Sequence, residues 1–246
     1  MARPTRESRH PDLSRAIIET AWRQIGETGA ASLSLRAIAR DLQITAPAIY
    51  NYYPRRDDLV TTLIVEAHTS FGDSQLAASA ELPTEDVDGR LHAIGLAYRH
   101  WALAHPQRYE LIFGAPIPGY HPPLALVLPA RACSMTALVT VIEDAQTAGR
   151  LRLDELPQPA TPDGEALATW RHLVGRASPA GLSAALLIWA RVHGLVSLEI
   201  GGHLPPFGPT PDQLYDYELS TLKKQFIHTE TPDLVHHRSP TPLIKE

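Results

Sequence analysis

The sequence predicts an all-α protein, with an N-terminal three-helix unit ahead of a longer helical body, and three observations carry that reading. Apolar residues recur at the three-and-four spacing of a helix along most of the chain. No stretch longer than a few residues alternates with the period of a strand. Breaks rich in proline and glycine separate the periodic segments, as in 114–123 with its four prolines and two glycines. With 246 residues, 44% hydrophobic and 20% charged, the chain can bury a sizeable core, which excludes a fibrous or wholly disordered protein.

The first helix is predicted over 13–27, because Leu13, Ile17, Ala21 and Ile25 fall on one face. Asp12 suits its N-cap and Gly29 its stop. A second, short helix follows Ser34 as N-cap and carries Leu35, Ile38, Ala39 and Leu42 on its inner face. Three residues, Gln43-Ile44-Thr45, lead to a third helix, with Thr45 as its cap, Pro47 in its first turn and an end at Tyr53 before Pro54. A fourth helix begins near Asp57 and Asp58, whose charge suits the positive end of the dipole, and reaches about Ala80.

Further helices are predicted over 84–104, 109–113 and 124–149, the last kinked or displaced by Pro129. The connection 150–178 holds a short helix at 165–174. Pro179 opens a very apolar helix to Ile200, Gly201-Gly202 stop it, and a last helix spans 212–227. The chain thus divides into 1–56 with a basic arm, 57–228, and a polar tail 229–246.

Charge is uneven: the first 60 residues carry a net +2 and the remainder −7, as in a head that faces a polyanion and a body that avoids it. One cysteine, Cys133, allows no intrachain disulfide and no thiolate zinc set, and the basic N-terminus lacks an apolar targeting core, so the cytoplasm is expected. Arg191, His193 and Glu199 interrupt the run 182–200, which is read as a buried helix and not as a membrane span. No metal and no cofactor are expected.

Two short helices joined by three residues, inside a three-helix unit, are what a helix-turn-helix needs to lay its second helix in the major groove. The segment 33–59 adds the Ile38-Ala39 pair, a third helix from Ala46 with Tyr50 and Tyr53 three apart, and the start Arg56-Asp57-Asp58-Leu59. It resembles the DNA-binding signature of the tetracycline-repressor (TetR) family. That resemblance implies a sequence-specific transcriptional regulator, a repressor released from its operator by a small molecule.

Roles follow from the resemblance position by position. Arg36 and Asn51 would read base edges, the first forking onto guanine and the second pairing with adenine. Ser34, Thr45, Tyr50, Tyr52 and Arg56 would hold phosphates, while Ala46 and Pro47 would lie against thymine methyls. Ala48, Ile49 and Tyr53 would face the core. Tyr50 and Tyr52 lie about 200° apart on a helix, so one helix cannot bury both. The arm Arg3, Arg6 and Arg9 reads either as a minor-groove contact or as a solvated tail. One residue departs from the family pattern: Gln43 stands where a turn glycine is usual, at a cost on the order of 1 kcal/mol if the turn is left-handed.

In the body, Trp189-Ala-Arg-Val-His193-Gly194 resembles the C-terminal domain of a TetR subgroup named for its Trp-His-Gly motif. The resemblance implies a homodimer joined through this helix and the last one, with Leu186, Trp189, His193 and Val196 at the interface. A dimer also suits a pseudo-palindromic operator with half-sites about 34 Å apart. Tyr98, Trp101, Tyr109, Phe113, Tyr120, Trp170 and Trp189 are the candidates for contact with an apolar or aromatic effector. The rival readings are an enzyme, for which no HExxH, GxSxG, GxGxxG or GxxxxGK[ST] segment is found, and a helical metal- or partner-binding module without controlled DNA reading.

Overall fold

The computed structural model describes residues 10–152, 165–175 and 177–228. Among these the order is α1 (His10–Thr28), a single 3-10 turn (Ala30–Ser32), α2 (Leu35–Asp41), α3 (Ala46–Tyr50), α4 (Arg56–Ala80), α5 (Val87–Ala104), α6 (Pro106–Phe113), α7 (Leu124–Thr147), α8 (Glu165–Val174), α9 (Pro179–Ile200) and α10 (Pro211–Phe226). Extended pairing is limited, among the described residues, to one antiparallel bridge between Leu151 and Ile227. The arm and the tail 229–246 lie outside the described residues.

The predicted apolar face of α1 is the one buried: Ile17 and Ala21 are wholly enclosed, with Ile25 beside them. The helix starts at His10, ahead of the predicted cap, so Asp12 falls inside the helix and not at its cap. Ser34 caps α2 as expected, its hydroxyl accepting from the Ala37 N–H at 3.4 Å. Thr45 does not: it stands at the cap of α3 without a side-chain capping bond. α3 also ends at Tyr50, three residues early, since Tyr52 N–H tightens onto Ile49 O at 3.0 Å ahead of the helix-breaking Pro54. α5 begins at Val87 with Asp86 as its cap, later than predicted, and α6 begins at Pro106, earlier. α7 runs through Pro129, which lies near its start where little of the helix ladder is lost.

Two apolar cores result. The head's core gathers Ile17, Leu33, Ile38, Ile49 and Tyr53, but also Leu59, Val60, Leu63 and Ile64 of α4 and Val127 of α7. A boundary drawn at residue 56 therefore cuts through that core. The body's core begins one turn further along α4 with Ala67 and Phe71, and is completed by α5, α7, α9 and α10. α4 is thus common to both. It crosses α7 so closely that a β-carbon on Gly72 would lie 2.9 Å from the Cys133 carbonyl oxygen.

Polar ties hold the outer helices. Arg99 of α5, 8% exposed, forks onto Glu199 of α9 at 2.6 and 2.7 Å and reaches Asp212 of α10 at 2.6 Å. On the other side, the Arg108 guanidinium lies 5.0 Å from the Trp22 ring centre, joining α6 to α1. α7 and α9 meet the length and composition of a membrane span, which the interrupting charges of 182–200 were expected to prevent. Their apolar surface serves the body's core instead, to which both contribute.

Candidate DNA-reading head and ligand cavity

The turn between α2 and α3 is left-handed at Gln43, φ 53°, the one non-glycine residue with positive φ among the described residues. Ile44 N–H donates to Ala39 O at 2.9 Å and Gln43 N–H to Arg40 O at 3.1 Å, which is the Schellman closure that glycine normally serves. Glutamine therefore adopts the glycine geometry and carries the strain locally.

That turn fixes which side chains face outward. Ile49 is fully buried and Tyr53 is 8% exposed, while Tyr50 is 39% exposed, so the aromatic run divides as helix geometry requires. Arg36, Thr45, Ala46, Pro47 and Asn51 are exposed, with Ser34 and Tyr52 half-buried beside them. Arg36 and Arg40 lie one turn apart on α2, both exposed and neither paired with a carboxylate among the described residues. Arg40 was not among the residues singled out from sequence, although its spacing from Arg36 placed it on the same face.

Arg56 is the correction in the head. Its guanidinium donates to the backbone oxygens of Ala30 (2.7 Å), Ala31 (3.1 Å) and Leu33 (3.1 Å), and so is committed to the 3-10 turn and not presented for phosphate. The reason is that this tight turn satisfies only the Ala30 carbonyl of the three, by the long Leu33 N–H bond at 3.4 Å, and the first residue of α4 is the donor within reach.

In the body, α4, α6, α7, α8 and α9 enclose a cavity of about 440 Å³. Phe113 and Trp189 form part of its wall. Tyr98, Trp101 and Tyr109 lie behind it in an aromatic layer, with Phe71 to Tyr98 at 4.7 Å and Tyr109 to Phe113 at 5.0 Å between ring centres. Their polar atoms are spent inside: the Tyr98 and Tyr109 hydroxyls lie 2.9 and 3.0 Å from His193 Nδ1, and Trp101 Nε1 donates to Ser70. Tyr120 is not at the cavity at all, since its loop folds back over the start of α4 and sets its hydroxyl 2.9 Å from that of Thr61. The side chain of Trp170 lies outside the described residues.

The cavity's polar wall was missed from sequence. It consists of His68 on α4 with Arg131 and Ser134 on α7. His68 is 3% exposed, and burial together with the nearby Arg131 charge holds its pKa down at about 4. A histidine at the centre of the apolar run Ile64, Ala67, Phe71 was the available signal.

Residues 17–63 match the model described as bacterial regulatory proteins, tetR family, and residues 91–222 match that of the tetracyclin repressor-like C-terminal domain. The chain is 35% identical over 204 residues to the HTH-type transcriptional regulator Rv1816 of Mycobacterium tuberculosis, covering 80% of this chain and 84% of that protein. The chain belongs to the tetR family of bacterial regulatory proteins. As a tetR family regulator it is a DNA-binding transcriptional regulator, and its family is regulatory in character. Among solved structures, the regulatory protein SCO4313 is 34% identical with a TM-score of 0.70, covering 89% of this chain and 98% of its own. The fold is also that of SmeT, solved in complex with triclosan, at 14% identity and a TM-score of 0.59, covering 94% and 98%.

The outer face of α9 in this tetR family regulator differs from the one assigned from sequence. Val196 is wholly buried within the chain's own core, and the half-buried His193 bonds inward to Tyr98 and Tyr109. Trp189 is half-buried, and only Leu186, at 58%, is open. The unpartnered stripe is Leu187, Ala190, Gly194 and Leu198, with Leu187 and Leu198 at 36% and 44% exposed. A β-carbon on Gly194 would meet nothing within 4 Å.

Proposed function

We propose that this regulator acts in the cytoplasm as a homodimeric repressor whose two heads read a pseudo-palindromic operator and release it when a small molecule fills the cavity. Arg36 and Asn51 read bases, Ser34, Thr45, Tyr50 and Tyr52 hold phosphates together with Arg40, and Ala46 and Pro47 line the groove. The single observation that carries the reading is the continuity of α4, which supplies Leu59 and Leu63 to the head's core and His68 to the cavity wall. A molecule that binds one tilt of α4 better than another shifts the spacing of the heads by that difference in affinity, and by no more. The SmeT–triclosan complex, on the same fold, supports a cavity of this kind as a ligand site.

The dimer face proposed is the α9 stripe Leu187, Ala190, Gly194 and Leu198. Small residues between two leucines allow close approach of a second helix, and Gly194 is otherwise unexplained inside a helix, where it is disfavoured by about 1 kcal/mol relative to alanine. Selection of a random duplex library by the purified protein tests the whole reading. Enrichment of a two-fold site with a steep salt dependence is expected; weak binding without sequence preference would overturn it.

A further inference from the structure

Two polar groups on the cavity wall are answered by nothing among the described residues, and of these Arg131 is the accessible one. His68 Nε2 is shut off from water and has no hydrogen-bond partner. The Arg131 side chain, half-buried on the same wall, makes no hydrogen bond or ion pair with any described residue. Apart from Ser134, the rest of the lining is apolar or aromatic, including Ile112, Phe113, Leu182 and Trp189. An unpaired guanidinium beside an apolar cavity costs free energy that a negatively charged occupant would recover. The lining therefore favours a molecule that is apolar for most of its length and negatively charged at one end.

Resting on the ligand-controlled reading above, we infer that the effector is a monocarboxylate with an apolar body, its carboxylate paired with Arg131. The guanidinium supplies charge and donors.

The test titrates the full-length protein with straight-chain carboxylates from octanoate to tetradecanoate and with naphthoate, each against its methyl ester, and reads tryptophan fluorescence and melting temperature. At least one acid is expected to bind about tenfold or more tighter than its ester. Arg131→Gln should abolish that preference while leaving ester binding and the fold intact, and Arg131→Lys should restore part of it. Acid and ester binding alike, or an acid preference that survives Arg131→Gln, would overturn the assignment, as would no binding by any acid of the series. Failure of the broader reading is separate, because it shows in the duplex selection as absence of an operator whatever the cavity binds.

Discussion

The hydroxyls of Tyr120 and Thr61 meet at 2.9 Å, tying the loop that leads into α7 to the first turns of α4. Thr61 Oγ1 donates to the Asp57 carbonyl at 2.8 Å, so the Tyr120 hydroxyl is the donor to Thr61, and the tie sits beside the head's core, on which Tyr120 packs. Tyr120→Phe is expected to lower stability by about 1 kcal/mol, a melting shift of roughly 2–4 °C for a chain this long. Operator affinity should be retained while effector-driven release weakens; unchanged release in an operator titration would show that this tie does not carry the coupling.

Arg36 and Arg56 should separate cleanly. Arg36→Ala removes an exposed, unpaired cation and is expected to leave melting within about 0.5 kcal/mol of the parent while costing 1–3 kcal/mol of sequence discrimination. Arg56→Ala strips the donor from three backbone carbonyls and should destabilise the head by about 2 kcal/mol. Thermal melts beside operator binding distinguish the two.

Gln43→Gly relieves a left-handed glutamine at φ 53°. A gain of up to about 1 kcal/mol is expected in a denaturant melt, with the same operator selected. A loss of stability would mean that the glutamine side chain does something for the turn beyond occupying it.

Gly194→Ala should act in opposite directions on the protomer and the dimer. The added methyl group meets open space in the chain itself and raises helix propensity by about 1 kcal/mol. Against a second α9 it stands in the way, so sedimentation equilibrium should show a weaker dimer.

His68 gives stability a pH dependence whose sign is set by burial. Its folded pKa of about 4 lies below the value of 6.5 for a free imidazole, so the unfolded chain takes up the proton first as pH falls. Stability should decline between pH 6.5 and 4, by about 3 kcal/mol from this group. His92, His105 and His193 are also held low by burial and add to the same slope, so His68→Gln is the control: its unfolding free energy should fall less steeply over that range.

The head was legible in the sequence because its elements are local. Apolar spacing in α1 and α2, the Ser34 cap and the Gln43 turn each depend on residues within one or two turns, and the structure agrees with all four. What escaped were relationships across long sequence distances. Arg56 found its carbonyl partners 23 to 26 residues back, and its spacing from them gave no hint that it was already engaged. The cavity wall joins His68 to Ser134, 66 positions apart, whereas the aromatic residues favoured from sequence mostly serve as its backing layer. α9 was read as a buried helix, yet Leu186, Leu187 and Leu198 stand exposed on it.

Arg56 also fixes how far a small event at the cavity is felt. Twelve residues of continuous helix separate it from His68, an arm of about 18 Å. A tilt of about 5° around the cavity end sweeps the far end through about 1.5 Å, and the three-carbonyl clasp leaves no slack through which the 3-10 turn could lag behind. The reading surface thus travels as one piece with its shaft, and in a two-fold assembly the displacements of the two ends add.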